Sequence, residues 1–189
     1  MARRLLSIWF PRLASDTSLR RRPVEGPFAL THRSGNADHL HCLNPAASVQ
    51  GLRRGMALAD ARAICPDLAT RPADLVREAA AIETLRRWAS RYAPVVSVDG
   101  ADALMADISG VPHLYGGEDA LRADLHARLE RAGLHVASAI AGTRGAAHAL
   151  ARHGGGIIVD GALVQGLGRL PVSALRVDHD QGLFHGYPG

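Results

Sequence analysis

Short apolar runs alternate with amphipathic stretches along this chain, and Pro and Gly punctuate them. Residues 4–10, Arg-Leu-Leu-Ser-Ile-Trp-Phe, read as a buried-type strand that Pro11 stops. Residues 13–22 are polar, carry Asp16 and end in Arg20-Arg21-Arg22, which reads as a loop. Residues 27–32 and 39–43 are strand candidates around the turn chemistry of Ser34-Gly35-Asn36, so a small hairpin is expected. Asn44-Pro45 starts a short helix through Gln50, with Gly51 just past its end. A second short helix runs from Leu58 to Ile64 and is closed by Cys65-Pro66. The longest helix is predicted over 74–92, where Leu75, Ala79, Ile82, Leu85, Trp88 and Ala89 follow helical spacing.

The second half is more regular. Residues 95–98 form a strand, Asp99-Gly100 opens a turn, and 103–108 return as a strand. Gly116-Gly117 precede a helix over 118–132 with Leu121, Leu125 and Leu129 on one face, capped by Gly133. A strand at 136–141, a helix at 144–152 and a last strand at 157–159 follow, with Gly154-Gly155-Gly156 as a break. The tail from His179 to Gly189 has no periodicity and reads as loose. This order predicts an α+β fold, an antiparallel sheet with helices on one face.

Composition narrows the class. The chain has 189 residues, 47% hydrophobic and 21% charged, which is globular rather than disordered. Lys is absent, so all 22 basic residues are Arg, and the net charge is +4. A surplus of guanidinium groups suits a polyanionic partner. Cys42 and Cys65 have neither metal-type spacing nor a disulfide framework and read as buried thiols of a reducing compartment. No apolar run approaches the ~18 residues of a membrane span. The chain is therefore read as cytoplasmic and without a membrane partner.

Candidate chemistry concentrates in Val95 to Gly110. Asp99 ends an apolar strand, and Asp102 and Asp107 follow it; carboxylates so placed can ligate Mg²⁺ beside a substrate phosphate. The plainer reading makes Asp99 a turn residue and leaves Asp102 and Asp107 solvated. A two-metal phosphoryl-transfer site draws carboxylates from more than one strand, and the first strand here has none. Arg53 and Arg54, in a loop, are candidates for DNA or nucleotide contact, whereas Arg20 to Arg22 read as a solvated triple. The triple glycine lacks the Lys and Ser/Thr of a phosphate-binding loop. His39 and His41 share a strand face, but two such ligands do not make a zinc site. Trp9 and Trp88 read as core residues, and no Ser, His and Asp set can be assembled.

Taken together, several of these segments resemble the Y-family, UmuC-like DNA polymerases. Leu5-Leu6-Ser7-Ile8-Trp9-Phe10-Pro11 is similar to the first palm strand of that family. Ser97-Val98-Asp99-Gly100 followed by Asp107-Ile108-Ser109 resembles its Ser-Ile-Asp-Glu hairpin and Leu-Asp-Ile-Ser continuation. Gly51-Leu52-Arg53-Arg54-Gly55-Met56, with Ala61 and Cys65-Pro66, resembles the fingers segment, and Ala139-Ile140-Ala141 with 147–151 resembles a later palm element. The resemblance implies a palm-like domain from 1–22 and 93–176, a fingers-like subdomain from 23–92 and a loose tail at 177–189. Thumb and little-finger domains do not fit in the residues left after Arg176, so the chain is expected to be a fragment or a truncated form.

The departures carry the functional expectation. Trp9 stands where the family has its first metal-binding Asp, and Gly100 replaces the Glu beside Asp99. Pro45 and Ser48 stand where the family has a triphosphate-contacting Tyr and Arg, and His148 lies near the place of a phosphate-contacting Lys. Asp99 is a remnant and Asp102 a partial substitute at most. This pattern, with His113-Leu114-Tyr115-Gly116-Gly117, resembles the catalytically inactive ImuB-type subgroup. It implies a non-catalytic, DNA-associated scaffold in DNA repair, SOS-type translesion synthesis and damage-induced mutagenesis, with no metal cofactor. The implied partners are damaged or primed DNA, an error-prone replicative-type polymerase, a RecA-like accessory protein and the sliding clamp. The alternatives are an active, Mg²⁺-dependent polymerase fragment using Asp99, Asp102 and Asp107, or a truncated interaction domain.

Overall fold

A computed structural model describes residues 3–168, 170, 171 and 174. The strand expected at the N-terminus is β1, Leu5–Trp9, and it lies at the centre of a five-stranded sheet. Its neighbours are β6, Ala103–Asp107, and β7, Ala137–Ala141, both antiparallel to it. The outer strands are β5, Val95–Val98, antiparallel to β6, and β8, Gly156–Ile157, parallel to β7. The order is therefore β5-β6-β1-β7-β8. An apolar central strand needs cover on both faces, because its successive side chains point opposite ways.

That cover comes from two helix pairs. Leu6 and Ile8 of β1, Leu104 of β6 and Ile140 of β7 pack against α4, Leu75–Ala89, and α5, Glu118–Arg131. Leu121, Leu125 and Leu129 of α5 are buried there, as their spacing predicts. Leu5, Met105 and Ala141 face the other way and pack with α6, Arg144–Arg152, and α7, Leu163–Leu167. Helices thus lie on both faces, where the sequence led us to expect one. The small face of α6, with Ala146 and Ala147 buried, lets it approach the sheet closely.

A second, three-stranded sheet has the order β3-β2-β4. β2, Phe28–Ser34, and β3, Ala37–Leu43, make the expected hairpin, with a tighter turn at Gly35-Asn36. β4, Ala69–Pro72, runs parallel to β2 and was not anticipated; its four residues are too few to show alternation, and Pro72 hides the signal. The region also holds α2, Pro45–Val49, and α3, Leu58–Ile64. Residues 13–22 are not a loop: α1 spans Leu13–Arg21, with Leu13 and Ser15 buried and the Ser15 hydroxyl donating to the Leu43 carbonyl at 3.1 Å. Leu13 in the main core, Ala14 and Leu19 against the Phe28 cluster, and hydrogen bonds of the Ser15, Asp16 and Ser18 side chains hold that helix, contacts too scattered to register as periodicity.

The loop 50–56 is stitched to β3. Leu40 and the loop exchange backbone hydrogen bonds, Leu40 N–H to Met56 O at 2.8 Å and Gly55 N–H to Leu40 O at 2.7 Å. Gly55 adopts φ +85°, which an L side chain rarely takes, so the turn that presents Arg53 and Arg54 depends on glycine. Cys42 and Cys65 are buried free thiols, as read from the sequence. No helix among the described residues is long and apolar enough to cross a membrane. The expected tail at 177–189 lies outside the described residues.

Asn44 holds the entry to this loop region. Its side-chain oxygen accepts from Phe28 N–H at 3.0 Å and Ala47 N–H at 2.9 Å, and its amide donates to the Gly26 carbonyl at 2.9 Å. Asn44→Ala is expected to destabilise the fold by about 1–3 kcal/mol, since a helix cap and a buried backbone donor lose their acceptor together. Urea unfolding checks this, and Asn44→Asp, which keeps the acceptor, is expected to lose less.

Candidate functional site

The turn between β5 and β6 brings Asp99 and Asp102 to the end of β1. Asp99 is only 5% exposed, so it is neither a solvated turn residue nor a surface acid. Its backbone N–H closes the turn onto Ala103 O at 2.8 Å, and Phe10 N–H donates to Asp102 O at 2.8 Å. Gly100 between them has φ +77°. A carboxylate-bearing side chain at that position would be strained by roughly 1–2 kcal/mol for leaving the right-handed region.

A buried carboxylate needs a compensating charge, and α6 supplies it. Arg144, His148 and Arg152 recur every fourth residue, so they share one helix face. Asp99 Oδ2 lies 3.0 Å from His148 Nδ1, and Asp99 Oδ1 lies 3.6 Å from an Arg144 guanidinium nitrogen. His148 Nδ1 also lies 3.1 Å from Arg152 Nη1, so it either donates to Asp99 or accepts from Arg152, according to its tautomer. Arg152 approaches Asp102 at 3.7 Å and stacks over the Trp9 ring, its guanidinium carbon 5.3 Å from the ring centroid.

Trp9 is half-buried and does not belong to the core, contrary to the expectation for it. Its indole N–H donates to Asp102 Oδ2 at 3.3 Å. Arg54 reaches the same oxygen from the 50–56 loop at 3.8 Å, so Asp102 joins the two sheets. Arg53 is exposed beside it. Trp88, by contrast, packs on the main core, its ring edge against Tyr92.

Asp107 does not take part. It sits at the far end of β6, opposite Leu5, while Ala103 beside Asp102 lies opposite Trp9. Four strand residues separate those ends by ~14 Å. Asp107 instead accepts from Ser109 N–H at 3.1 Å and pairs with Arg3 at 3.5 Å, contacts that lower its pKa. Asp16 is likewise elsewhere, accepting from His135 N–H at 2.9 Å, with burial raising its pKa. Pro45 and Ser48 are spent on α2, at its first turn and in a hydroxyl bond to Asn44 O at 3.2 Å.

Sequence reasoning found Asp99, Asp102, Trp9, Arg54 and His148 but missed Arg144 and Arg152. The signal was present: a basic residue at 144, 148 and 152 with small residues between. It is informative only once that helix face is known to meet the acidic turn. Among the described residues no three His, Cys, Asp or Glu side chains gather into a metal-binding group.

Removing one side-chain partner from this cluster leaves Asp99 less satisfied. His148→Ala is expected to cost about 1–3 kcal/mol by thermal or urea unfolding, the penalty of weakening the satisfaction of a buried carboxylate. Arg54→Ala, on an exposed pair, is expected to cost under about 1 kcal/mol.

The geometry can be set against known proteins. The family model described as impB/mucB/samB matches residues 8–152, which include the three-stranded sheet, β5, β6 and β7 of the five-stranded one, Asp99 and α6. The chain is 45% identical over 129 residues to Protein ImuB of Caulobacter vibrioides, from strain NA1000 / CB15N and equally from strain ATCC 19089 / CIP 103742 / CB 15. That match covers 67% of this chain and 28% of the relative, so the chain spans little more than a quarter of the curated relatives it matches. The fold is similar to the crystal structure of DinB from Sulfolobus solfataricus, TM-score 0.77 at 17% identity, over 92% of this chain and 53% of that one. It is also similar to an insertion ternary complex of Dbh DNA polymerase, TM-score 0.78 at 17% identity, over 92% and 54%. With the model matched across most of its length, this chain belongs to the impB/mucB/samB family, the UmuC-like domains of the Y-family polymerases.

Proposed function

We propose that this chain is the palm-and-fingers part of a non-catalytic Y-family polymerase-like subunit acting in DNA repair and damage-induced mutagenesis. Residues 1–22 and 93–176, around the five-stranded sheet, are the palm and residues 23–92, around the three-stranded sheet, the fingers, with α4 of that stretch packed on the palm sheet. The observation that carries the reading is the cationic helix face laid against the two acids. Two divalent ions ~4 Å apart need a cluster of anionic ligands. Here Asp99 and Asp102 meet Arg54, Arg144, His148 and Arg152, and the place of a further carboxylate is filled by the Trp9 indole. That donor set does not fit a pair of metal ions, and fixed guanidinium groups repel them.

The remaining expectations rest on similarity. The likeness to Protein ImuB supports a scaffold role beside an error-prone polymerase, a RecA-like accessory protein and a sliding clamp. The fold's likeness to a polymerase held in an insertion ternary complex supports DNA as a ligand, with exposed Arg53 as its contact. Binding of this part alone is weak and falls with salt, as phosphate contacts do.

Primer extension tests the reading. With primed template, the four deoxynucleotides and Mg²⁺, the chain is expected to add nothing above an Asp99→Ala control. Trp9→Asp is expected to stay inactive as well, because Arg152 and the left-handed Gly100 remain. Extension by the unaltered chain that Asp99→Ala abolishes would overturn the proposal in favour of a rearranged polymerase site.

A further inference from the structure

A trough of about 850 Å³ runs between α1 and α4, and it shares no residue with the Asp99–Asp102 cluster. Its walls are two helix faces of small side chains. Ala14, Thr17 and Ser18 line one side, and Ala80, Ala81 and Thr84 line the other. Each triplet continues to an arginine, Arg21 on α1 and Arg77 on α4, so both helices present the same i, i+3, i+4, i+7 stripe to the space between them. Leu13, Leu30, Leu85 and Leu134 add apolar lining. Small residues at this spacing are what lets a further helix settle between two others, its larger side chains filling the gap.

The rim fixes the chemistry of the occupant. Arg20, Arg21, Arg22, Arg71 and Arg77 surround the trough, against Asp74 and Glu78. Both acids are already engaged, Asp74 with Arg77 at 2.7 Å and Glu78 with His41 at 2.8 Å. Among the described residues no carboxylate pairs with Arg20, Arg21, Arg22 or Arg71. Arg71 donates to the Arg22 carbonyl at 2.8 Å and the Ser18 hydroxyl at 3.4 Å and lies over the Phe28 ring, so it is held in place with its charge uncompensated. An apolar trough with this rim matches a segment that is apolar on one side and acidic on the other. Nucleic acid offers the charge but no side chains to fill the trough.

We infer that the α1–α4 trough is a docking site for an acidic amphipathic helix of a protein partner. Polymerase chemistry has no bearing on this site, and failure of either proposal leaves the other standing.

The test uses the 189-residue chain and a labelled helical peptide of about 16 residues, with Leu at helical spacing and Glu elsewhere. Fluorescence anisotropy is expected to show saturable, salt-weakened binding. Arg21→Glu with Arg22→Glu, on exposed side chains, is expected to weaken it about tenfold or more by turning attraction into repulsion. Ala80→Trp, also at an exposed position, blocks the trough and is expected to weaken it comparably, with an unchanged circular dichroism spectrum. The same peptide with Lys for Glu, or with Ser for Leu, is expected not to bind. Equal binding of the Lys peptide, binding indifferent to Ala80→Trp, or displacement of the peptide by duplex DNA would each overturn the inference. So would self-association of the chain that Ala80→Trp abolishes, since the trough would then serve a second copy.

Discussion

A buried carboxylate must meet positive charge, and the arrangement around Asp99 follows from that requirement. At 5% exposure, an ionised Asp99 is removed from the water that would otherwise solvate it. The compensating charge can come from a bound cation or from the chain itself. In this chain it comes from α6, whose Arg144 and Arg152 face the turn on either side of His148 while its alanines face the sheet. The helix thereby serves two interfaces with two faces, one apolar and one basic.

The residues near this turn are chemically matched. An aspartate suits a hard divalent cation; an indole suits a guanidinium laid over its face. Trp9 and Arg152 form such a stacked pair, and the indole N–H and the guanidinium both turn to Asp102. Replacing one member alone would leave the other without its partner. Asp102 also meets Arg54 from the 50–56 loop, so the same acid couples the two sheets of the molecule.

The basic surplus of the chain is divided between two places with different fates. Around the β5–β6 turn the arginines are matched by acids. Along the α1–α4 trough most are not, and apolar lining lies beneath them. A net charge of +4 gives no hint of this division. The first group is internal electrostatics; the second is a surface that complements something outside the chain.

The sequence alone determined most of the elements and the family. The strand at 5–9, the Asp99-Gly100 turn and the leucine face of α5 were legible because strand and helix periods and glycine turns leave local marks. The expectation that Trp9 stands in the place of a family aspartate rests on motif and order alone. Tertiary structure decided the rest. α1 became a helix through packing of Leu13 and Leu19 and hydrogen bonds of Ser15 and Asp16 to distant residues, and β4 through pairing with β2, none of which is local. Only the fold brought residues 144 and 152 to residues 99 and 102, because ion pairs across some forty residues or more have no period. It also sent Asp107 ~14 Å away along β6, where strand rise rather than sequence distance sets the separation.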